Sequence, residues 1–363
     1  MSTVFRIILT CCLFYVGAAH SQIKVKDIVG REVTLKQPAK RVILGEGRSL
    51  LTLALLHPKP VDLVVGWTGD FKKSGGNLYE DYRKQFPEMD RIPAIGSTGK
   101  ETVSVEKILS LKPDLAIFGA GSHGPDAKSA DVIQKLNAAG IPIVFIDFRL
   151  HPFKNTLPSM EILGKVLGRE KQTQEYIKLY KKHMSVISQR LAKHKASKPK
   201  VYMEMVRGEL VGSPGKGNLG EFIEFAGGHN IGADVLPGEV GTINMEYVIA
   251  SQPDVYIATG IALPGEKGFI IGQGITPSQA RESLKSLTAK PVLRPLNAIK
   301  SNRAYGMWHL FYDSPLNIVA LEAIARWCHP QLFKDLNPHG TLGTINKQFL
   351  TVKLSGAFFL ENK

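Results

Sequence analysis

Side chains suited to binding an anionic or aromatic molecule follow several predicted strands directly. Arg149 comes just after the apolar run at 142–147, and Arg207 comes just after the run at 201–205. Arginine offers a planar fork of N–H donors that matches carboxylates and anionic metal complexes. Ligands of open α/β sheets bind beyond the carboxyl ends of the strands, so we predict a ligand site there. The candidates that share this position are Trp67, His123, Arg149, Arg207, Trp308, His309 and Tyr312.

Each of these candidates also has a purely structural interpretation. The arginines could pair with nearby carboxylates such as Asp147, and the tryptophans could pack inside the protein instead of flanking an organic ligand. The histidines could be hydrogen-bonded parts of the scaffold, or their imidazoles could contact iron or haem. Arg48, which follows another predicted strand, is a weaker candidate. The sequence leaves these alternatives open.

The short motifs that mark common catalytic sites are missing from the sequence. GxSxG, HExxH, CxxC and Walker sequences are absent, and the glycine-rich run at 212–217 has neither the Walker spacing nor a following Ser or Thr. We therefore expect a binding protein with no catalytic residue, no resident cofactor and no metal held by the protein itself. The alternative of another class is a secreted metal-dependent enzyme that uses His123, His309 and a carboxylate.

The chain is basic, yet it shows no nucleic-acid-binding pattern. Its 363 residues carry a formal net charge of +14 at pH 7. The lysines are scattered, with the highest density at 178–200, and no basic run alternates with aromatic residues. We expect no nucleic-acid partner, because an anionic small ligand or a generally basic proteome explains the charge better.

Alternating strands and helices position the candidate side chains. Short apolar strands alternate with helical segments up to residue 154 and again from residue 200, which favours parallel sheets covered by helices. Between these halves, apolar residues recur at spacings of three and four from Tyr176 to Leu191, which predicts a helix of roughly 25 residues. Ser49 is predicted to cap a helix at 50–56, and the tail to Lys363 is predicted to pack on the surface.

The predicted fold is therefore α/β, with two α/β lobes that have mainly parallel central sheets and are joined by one long rigid helix. The predicted divisions are a signal peptide at 1–21, an N-terminal lobe at 22–154, a linking helix region at 155–197 and a C-terminal lobe at 198–363.

One helix–strand unit occurs twice. The stretch 103–121 contains a potential helix cap, Glu106 in the first turn, a Pro-Asp pair and then an apolar strand. The stretch 243–260 repeats this order around Glu246, and in both copies the Glu precedes the Pro by seven residues. Two such units 140 residues apart predict two similarly built halves, each with a carboxylate in the same place.

The N-terminus is interpreted as a secretory signal. An apolar core at 7–16 is followed by small residues, and cleavage after Ala19 or Ser21 fits this pattern. Cys11 and Cys12 lie inside the apolar core, with too little apolar sequence ahead of them for a lipid-attachment site. Processing would leave only Cys328 of the three cysteines, so export would bring no intramolecular disulfide. A bacterial periplasm is the expected compartment.

In the order and spacing of these features the sequence resembles the periplasmic binding proteins of ABC importers, in the class for iron–siderophore, haem and vitamin B12. The resemblance covers essentially the whole mature chain. The segments that carry it are the hairpin VKDIVGREVTL followed by RVILG, the two E-x6-P-D units, the single long helix, and the ending SPLNIVALEAIARW.

The resemblance implies that ligand is held in a cleft between the lobes. It also implies that Glu106 and Glu246 dock onto arginines of the two equivalent subunits of an ABC permease dimer at the inner membrane. We expect a monomeric periplasmic protein that captures a small-molecule metal complex, an iron chelate such as a ferric siderophore, and delivers it to that permease. Haem, cobalamin and a metal oxyanion are the alternative ligands.

Overall fold

A computed structural model describes residues 22–121, 123–194, 197–207, 210–263 and 268–361. At residues 207, 210 and 211 it describes the backbone only. The predicted signal peptide lies outside the described residues. None of the described helices combines the length and the apolar character that crossing a bilayer requires.

The first half of the chain forms a hairpin and a five-stranded sheet. β1 and β2 pair antiparallel, whereas the sheet has the order β5-β4-β3-β6-β7 and all of its pairs are parallel. The strands are β1 (Ile23–Lys26), β2 (Glu32–Leu35), β3 (Val42–Leu44), β4 (Val64–Thr68), β5 (Ala94–Gly96), β6 (Leu115–Gly119) and β7 (Ile143–Ile146). The helices are α1 (Leu50–Leu56), α2 (Asp70–Ser74), α3 (Asn77–Gln85), α4 (Val105–Ser110) and α5 (Ala130–Ala138).

β3 and β7 do not alternate between buried and exposed residues, as the strands of a half-exposed sheet would. All three residues of β3 and all four of β7 are buried, as expected for parallel strands covered by helices on both faces.

Two helices connect the halves, α6 (Pro152–Val166) and α7 (Glu170–Lys193). Gly168, with a φ of +62°, makes the turn between them in a region that favours glycine. The 24 residues of α7 confirm the predicted long helix. Its buried Tyr176 and Tyr180 donate hydrogen bonds of 2.8 Å to the Pro315 carbonyl and to Asn317 Oδ1. α7 is thereby fixed to the second half of the chain.

The second half forms a mixed seven-stranded sheet of order β11-β9-β8-β12-β14-β16, with β10 beside β8. Its strands are β8 (Lys200–Arg207), β9 (Leu210–Pro214), β10 (His229–Asn230), β11 (Val240–Gly241), β12 (Val255–Gly260), β14 (Ala304–Trp308) and β16 (Phe359–Glu361). A separate short pair is β13 (Gly272–Gln273) with β15 (Gly356–Ala357). The helices are α8 (Asn218–Phe225), α9 (Gly232–Val235), α10 (Met245–Ser251), α11 (Pro277–Thr288), α12 (Asn297–Lys300), α13 (Asn317–Cys328) and α14 (Pro338–Gln348).

The centre of this sheet is parallel, because β12 pairs parallel with both β8 and β14. Antiparallel strands occur towards its edges. The predicted fold class, α/β with two lobes and mainly parallel central sheets, is confirmed. The residue numbers at which the lobes were divided stay a prediction.

The two copies of the repeated unit have the predicted structure. Ser104 Oγ accepts a hydrogen bond from the Lys107 amide at 3.2 Å at the start of α4, and Asn244 Oδ1 accepts one from the Glu246 amide at 2.8 Å at the start of α10. Each helix leads into a central strand of its sheet, β6 or β12.

Two local predictions are wrong. Ser49 makes no side-chain cap on α1, because residues 47–49 form a 3-10 turn that leads directly into the helix. The C-terminal tail is not merely surface packing, because β16 pairs with β14 and extends the second sheet. Its buried Phe359 stacks on Phe311 with ring centroids 5.0 Å apart.

Candidate functional site

A cavity of about 550 Å³ lies where loops from the two sheets meet. The first sheet contributes His123, which follows β6, and Arg149, which follows β7. The second sheet contributes residues of β8 and the segments after β12 and β14. The lining consists of His123, Arg149, Met205, Val206, Gly212, Asn218, Glu239, Val240, Ile261, His309 and Tyr312.

A smaller cavity of about 190 Å³ adjoins the first, since His123, Ile261, His309 and Tyr312 line both. Arg48 and Asp70 are also part of its wall. We call the two together the cleft.

Four residues in the lining of the larger cavity are apolar, Met205, Val206, Val240 and Ile261, and we call them its apolar wall. Val240 is 51% exposed, the highest value among the exposed large hydrophobic residues of the described chain. Covering an exposed apolar side chain with a ligand lowers the free energy of the complex, because apolar surface is removed from water. The cleft therefore suits a molecule with an apolar periphery.

Arg149 is the buried cation of the larger cavity. Its Nη2 donates to the Gly121 carbonyl at 2.6 Å, and its Nη1 lies 3.5 Å from Glu46 Oε1 without hydrogen-bond geometry. Within the described residues, neither its Nε nor its Nη1 has a hydrogen-bond partner. The side chain does not pair with Asp147, whose carboxylate instead accepts the backbone N–H groups of residues 149–151 and shapes this turn.

Arg48 lies at the centre of a buried charge cluster. Its Nη2 donates to Glu46 Oε1 at 2.5 Å and its Nε donates to Asp70 Oδ2 at 3.1 Å. Its Nη1 lies 2.8 Å from Asp313 Oδ2 and donates to the Tyr312 hydroxyl at 3.0 Å. Since Glu46 and Asp70 belong to the first half and Asp313 to the second, Arg48 ties the two parts of the fold together at the wall of the smaller cavity.

Burial and charge move the pKa values of these groups in different directions. Burial raises the pKa of Asp313 to about 6, although Arg48 opposes this. Burial also acts to raise the pKa of Glu46, but Arg149 and Arg48 outweigh it and the pKa is lowered. For His123, burial lowers the pKa to about 4 against the opposing effect of Glu46. The imidazole of His123 is therefore neutral near pH 7.

The remaining predicted ligand residues divide into two groups. His309 lines the cleft, where its Nδ1 lies 2.9 Å from Thr259 Oγ1 and its ring centroid lies 4.7 Å from that of Tyr312. Trp67 and Trp308 are buried at 5% and 2% exposure and line neither cavity. The structure places both tryptophans in the core, so we do not include them in the proposed site.

Arg207 ends β8, and its side chain lies outside the described residues. Its ligand contact stays a prediction.

Sequence reasoning missed the acidic members of the cluster, Glu46, Asp70 and Asp313. Each lies within a few residues of a strand end, in the same loops as the predicted candidates. The Glu-x-Arg spacing of Glu46 and Arg48 within a glycine-bounded loop was the available signal. An acid and a base two residues apart do not reveal a buried pair unless the fold is known.

No group of three or more His, Cys, Asp or Glu side chains that could hold a metal ion occurs in the described part of the chain.

The two predicted docking carboxylates are on the surface. Glu106 and Glu246 are both exposed, in the first turns of α4 and α10. Within the described residues, neither carboxylate forms an ion pair within 4.0 Å with a basic side chain. Glu106 interacts with Lys135 only over a longer distance, where its charge helps to raise the pKa of that lysine. Glu106 Oε2 accepts a hydrogen bond from Ser104 Oγ at 3.3 Å, and both carboxylates are exposed to solvent.

The chain was compared with known proteins. A family model described as periplasmic binding protein matches residues 53–308. The uncharacterized ABC transporter substrate-binding lipoprotein YvrC of Bacillus subtilis is 24% identical over 320 residues, which is 86% of this chain and 87% of YvrC. A vitamin B12-binding protein of Yersinia pestis is 26% identical over 207 residues, 56% of this chain and 68% of that protein.

Among solved structures, the TroA-like periplasmic binding protein FepB from Veillonella parvula is similar to this chain, with a TM-score of 0.83 and 26% identity. The similarity covers 94% of this chain and all of that one.

Proposed function

Because the chain belongs to the family of periplasmic binding proteins, we propose that it captures an iron complex in the cleft and delivers it to an ABC permease. The ligand is an organic iron chelate, a ferric siderophore or a similar molecule, with an apolar periphery and at least one anionic group. The protein acts by binding and release in the periplasm, without catalysis.

The observation that carries this proposal is the buried Arg149, with two nitrogens that lack hydrogen-bond acceptors among the described residues, on a cavity that also has an apolar part of its lining. A buried guanidinium with unused donors favours an anionic oxygen, since charge-assisted hydrogen bonds are the stronger kind. The apolar wall favours ligand carbon atoms.

Cavity size argues against a small metal oxyanion. The larger cavity of about 550 Å³ corresponds to the volume of roughly 18 water molecules at about 30 Å³ each. A tetrahedral oxyanion would fill only a small part of it and would leave the apolar wall uncovered. An organic chelate that surrounds its iron can fill the space and needs no metal ligand from the protein.

Haem is the second candidate, and His123 is the observation that favours it. Its neutral imidazole lines the same cavity as the apolar wall and Arg149. A porphyrin has apolar faces and carboxylate substituents, so the apolar wall and Arg149 would suit it as well. A Soret band that shifts when the protein is added to haemin would favour haem over a chelate.

The proposal is tested by titrating the protein with a ferric tricatecholate and following intrinsic tryptophan fluorescence. Arg149→Gln should weaken binding about ten- to a hundred-fold, the effect of a hydrogen bond to a charged group. The matched control is Arg83→Gln, because Arg83 is a half-exposed arginine that pairs with Asp90 away from the cleft. Equal affinity of the wild type and the Arg149 variant would remove this arginine from the site.

For delivery, we propose that Glu106 and Glu246 bind arginines of the two permease subunits. The double variant Glu106→Ala/Glu246→Ala should keep its ligand affinity while uptake into cells falls. The matched control replaces Glu32 and Glu282, which are exposed and also lie one in each half. Normal uptake by the first variant would contradict the docking role.

A further inference from the structure

We propose that Arg48 is a positioning residue for ligand binding: by holding Glu46, it keeps Arg149 available to the ligand. The inference rests on the proposed function of the cleft, and it assigns a role to the buried charge cluster around Arg48. Arg48 itself need not contact the ligand at the larger cavity.

The two arginines compete for one carboxylate. Glu46 Oε1 lies 2.5 Å from Arg48 Nη2, in a hydrogen bond, but 3.5 Å from Arg149 Nη1. The shorter contact has hydrogen-bond geometry and the longer one does not. Glu46 is therefore hydrogen-bonded to Arg48, and the Nε and Nη1 of Arg149 have no acceptor among the described residues.

Arg48 is itself fixed from all sides, which allows it to hold Glu46 in place. Its Nε is bound by Asp70, which also accepts the Gly47 amide at 2.6 Å. Its Nη1 faces Asp313 and Tyr312. The planar guanidinium can satisfy several acceptors at defined angles, whereas an ammonium group acts as a point charge.

Without Arg48, the cation nearest to Glu46 would be Arg149. A buried carboxylate that loses its partner carries a large desolvation cost, so Glu46 would move the short distance to Arg149 and form a direct pair. The donors of Arg149 would then be occupied, and an anionic ligand would have to displace Glu46 before it could bind.

Tyr312 connects the cluster to the cavity. Both guanidiniums lie over its ring, with Cζ atoms 5.7 Å and 5.9 Å from the ring centroid for Arg48 and Arg149. Tyr312 thus contacts both cations, and Glu46 lies within 4.0 Å of each guanidinium.

The test is a double-mutant cycle on Arg48→Gln and Glu46→Gln, with a ferric tricatecholate as the probe. In the protein that keeps Glu46, Arg48→Gln should weaken binding at least about tenfold, because the ligand must compete with an internal charge-assisted pair. In the Glu46→Gln background, the same replacement should weaken binding about threefold or less, because no carboxylate remains to occupy Arg149.

The cycle separates positioning from a general loss of positive charge. If Arg48 acted only through its charge, its removal would weaken binding by the same factor in both backgrounds, and that outcome would overturn the proposal. Circular dichroism checks the fold of each variant. Should Arg48→Gln fail to fold, Arg48→Lys keeps a charge but cannot hold three carboxylates, and it should show the same pattern with a smaller factor.

A crystal structure of the Arg48→Gln or Arg48→Lys protein decides the point without any ligand. The distance between Glu46 Oε1 and Arg149 Nη1 should shorten from 3.5 Å to a hydrogen bond of about 2.8 Å. An unchanged Glu46 would overturn the inference. If the wild-type protein bound no iron chelate, the proposed function would be refuted. The Glu46–Arg149 distance in the variant would still test the structural effect of Arg48 independently.

Discussion

Replacing Asp313 by asparagine should change how the stability of the protein depends on pH. Asp313 is buried beside Arg48, and burial raises its pKa from 3.8 to about 6. The nearby carboxylates of Glu46 and Asp70 add to this rise in pKa, whereas Arg48 and Arg149 oppose it. Glu46 lies closest to both arginines and its pKa is lowered, whereas burial raises the pKa of Asp70 as well as that of Asp313.

The direction of this pH dependence follows from the difference in proton binding between the folded and the unfolded protein. Between pH 3.8 and about 6 the folded protein keeps the Asp313 proton while the unfolded chain releases it. This contribution to stability is fully present below pH 3.8 and is lost as the pH rises through the folded pKa. The total corresponds to roughly 3 kcal/mol at about 1.36 kcal/mol per pKa unit, of which about 2 kcal/mol falls between about pH 4.5 and pH 7.5.

The assay is urea unfolding of the wild type and of Asp313→Asn across this pH range. The free energy of unfolding of the wild type minus that of the variant should fall by about 2 kcal/mol as the pH rises. Asp62→Asn, at an exposed aspartate, is the control and should show no such trend. A difference that stays constant, or that rises with pH, would refute the assignment of the buried proton to Asp313.

Three further predictions concern the scaffold. Tyr180→Phe leaves Asn317 Oδ1 without the Tyr180 donor and should lower the free energy of unfolding by about 1–2 kcal/mol, measured with urea. Burial raises the pKa of the Cys328 thiol to about 12, so a thiol reagent at about pH 8 should label it only after denaturation; rapid labelling of folded protein would contradict this. Gly124→Ala should lower the melting temperature more than Gly140→Ala, because both have a positive φ but only at Gly124 would the new Cβ overlap a backbone carbonyl.

Local patterns predicted the elements of this fold well. The cap, carboxylate, Pro-Asp and apolar strand of the repeated unit are all short-range signals, and both copies fold as expected at Ser104 and Asn244. The long helix was predicted because its buried residues recur at helical spacing. The C-terminal strand was missed because residues 359–361 form too short a run for alternation to show, and pairing with β14 defines it.

The site was predicted only in part, for a physical reason. Placing candidates at strand ends brought His123, Arg149, His309 and Tyr312 to one cavity. The same rule also selected Trp67 and Trp308, which lie next to the last residue of β4 and at the last residue of β14 but are buried in the core. A strand end determines where a residue lies, whereas long-range packing decides which way its side chain points.

The charge cluster around Arg48 could not be predicted from local sequence patterns either. Asp313 lies 265 positions after Arg48 in the sequence, yet its Oδ2 is 2.8 Å from the guanidinium. No local pattern contains that pairing, because it exists only once the two sheets have come together. The buried charges, and with them the proposed control of Arg149, could be found only from the folded structure.

The most direct test of the proposed function is native mass spectrometry of the purified protein with a panel of ligands. The panel contains a ferric tricatecholate, the same chelator without iron, haemin, cyanocobalamin and molybdate. We predict a one-to-one complex with the ferric chelate that is stronger than with the iron-free chelator and is weakened by Arg149→Gln. Binding of molybdate or cyanocobalamin alone, or of no member of the panel, would contradict the account.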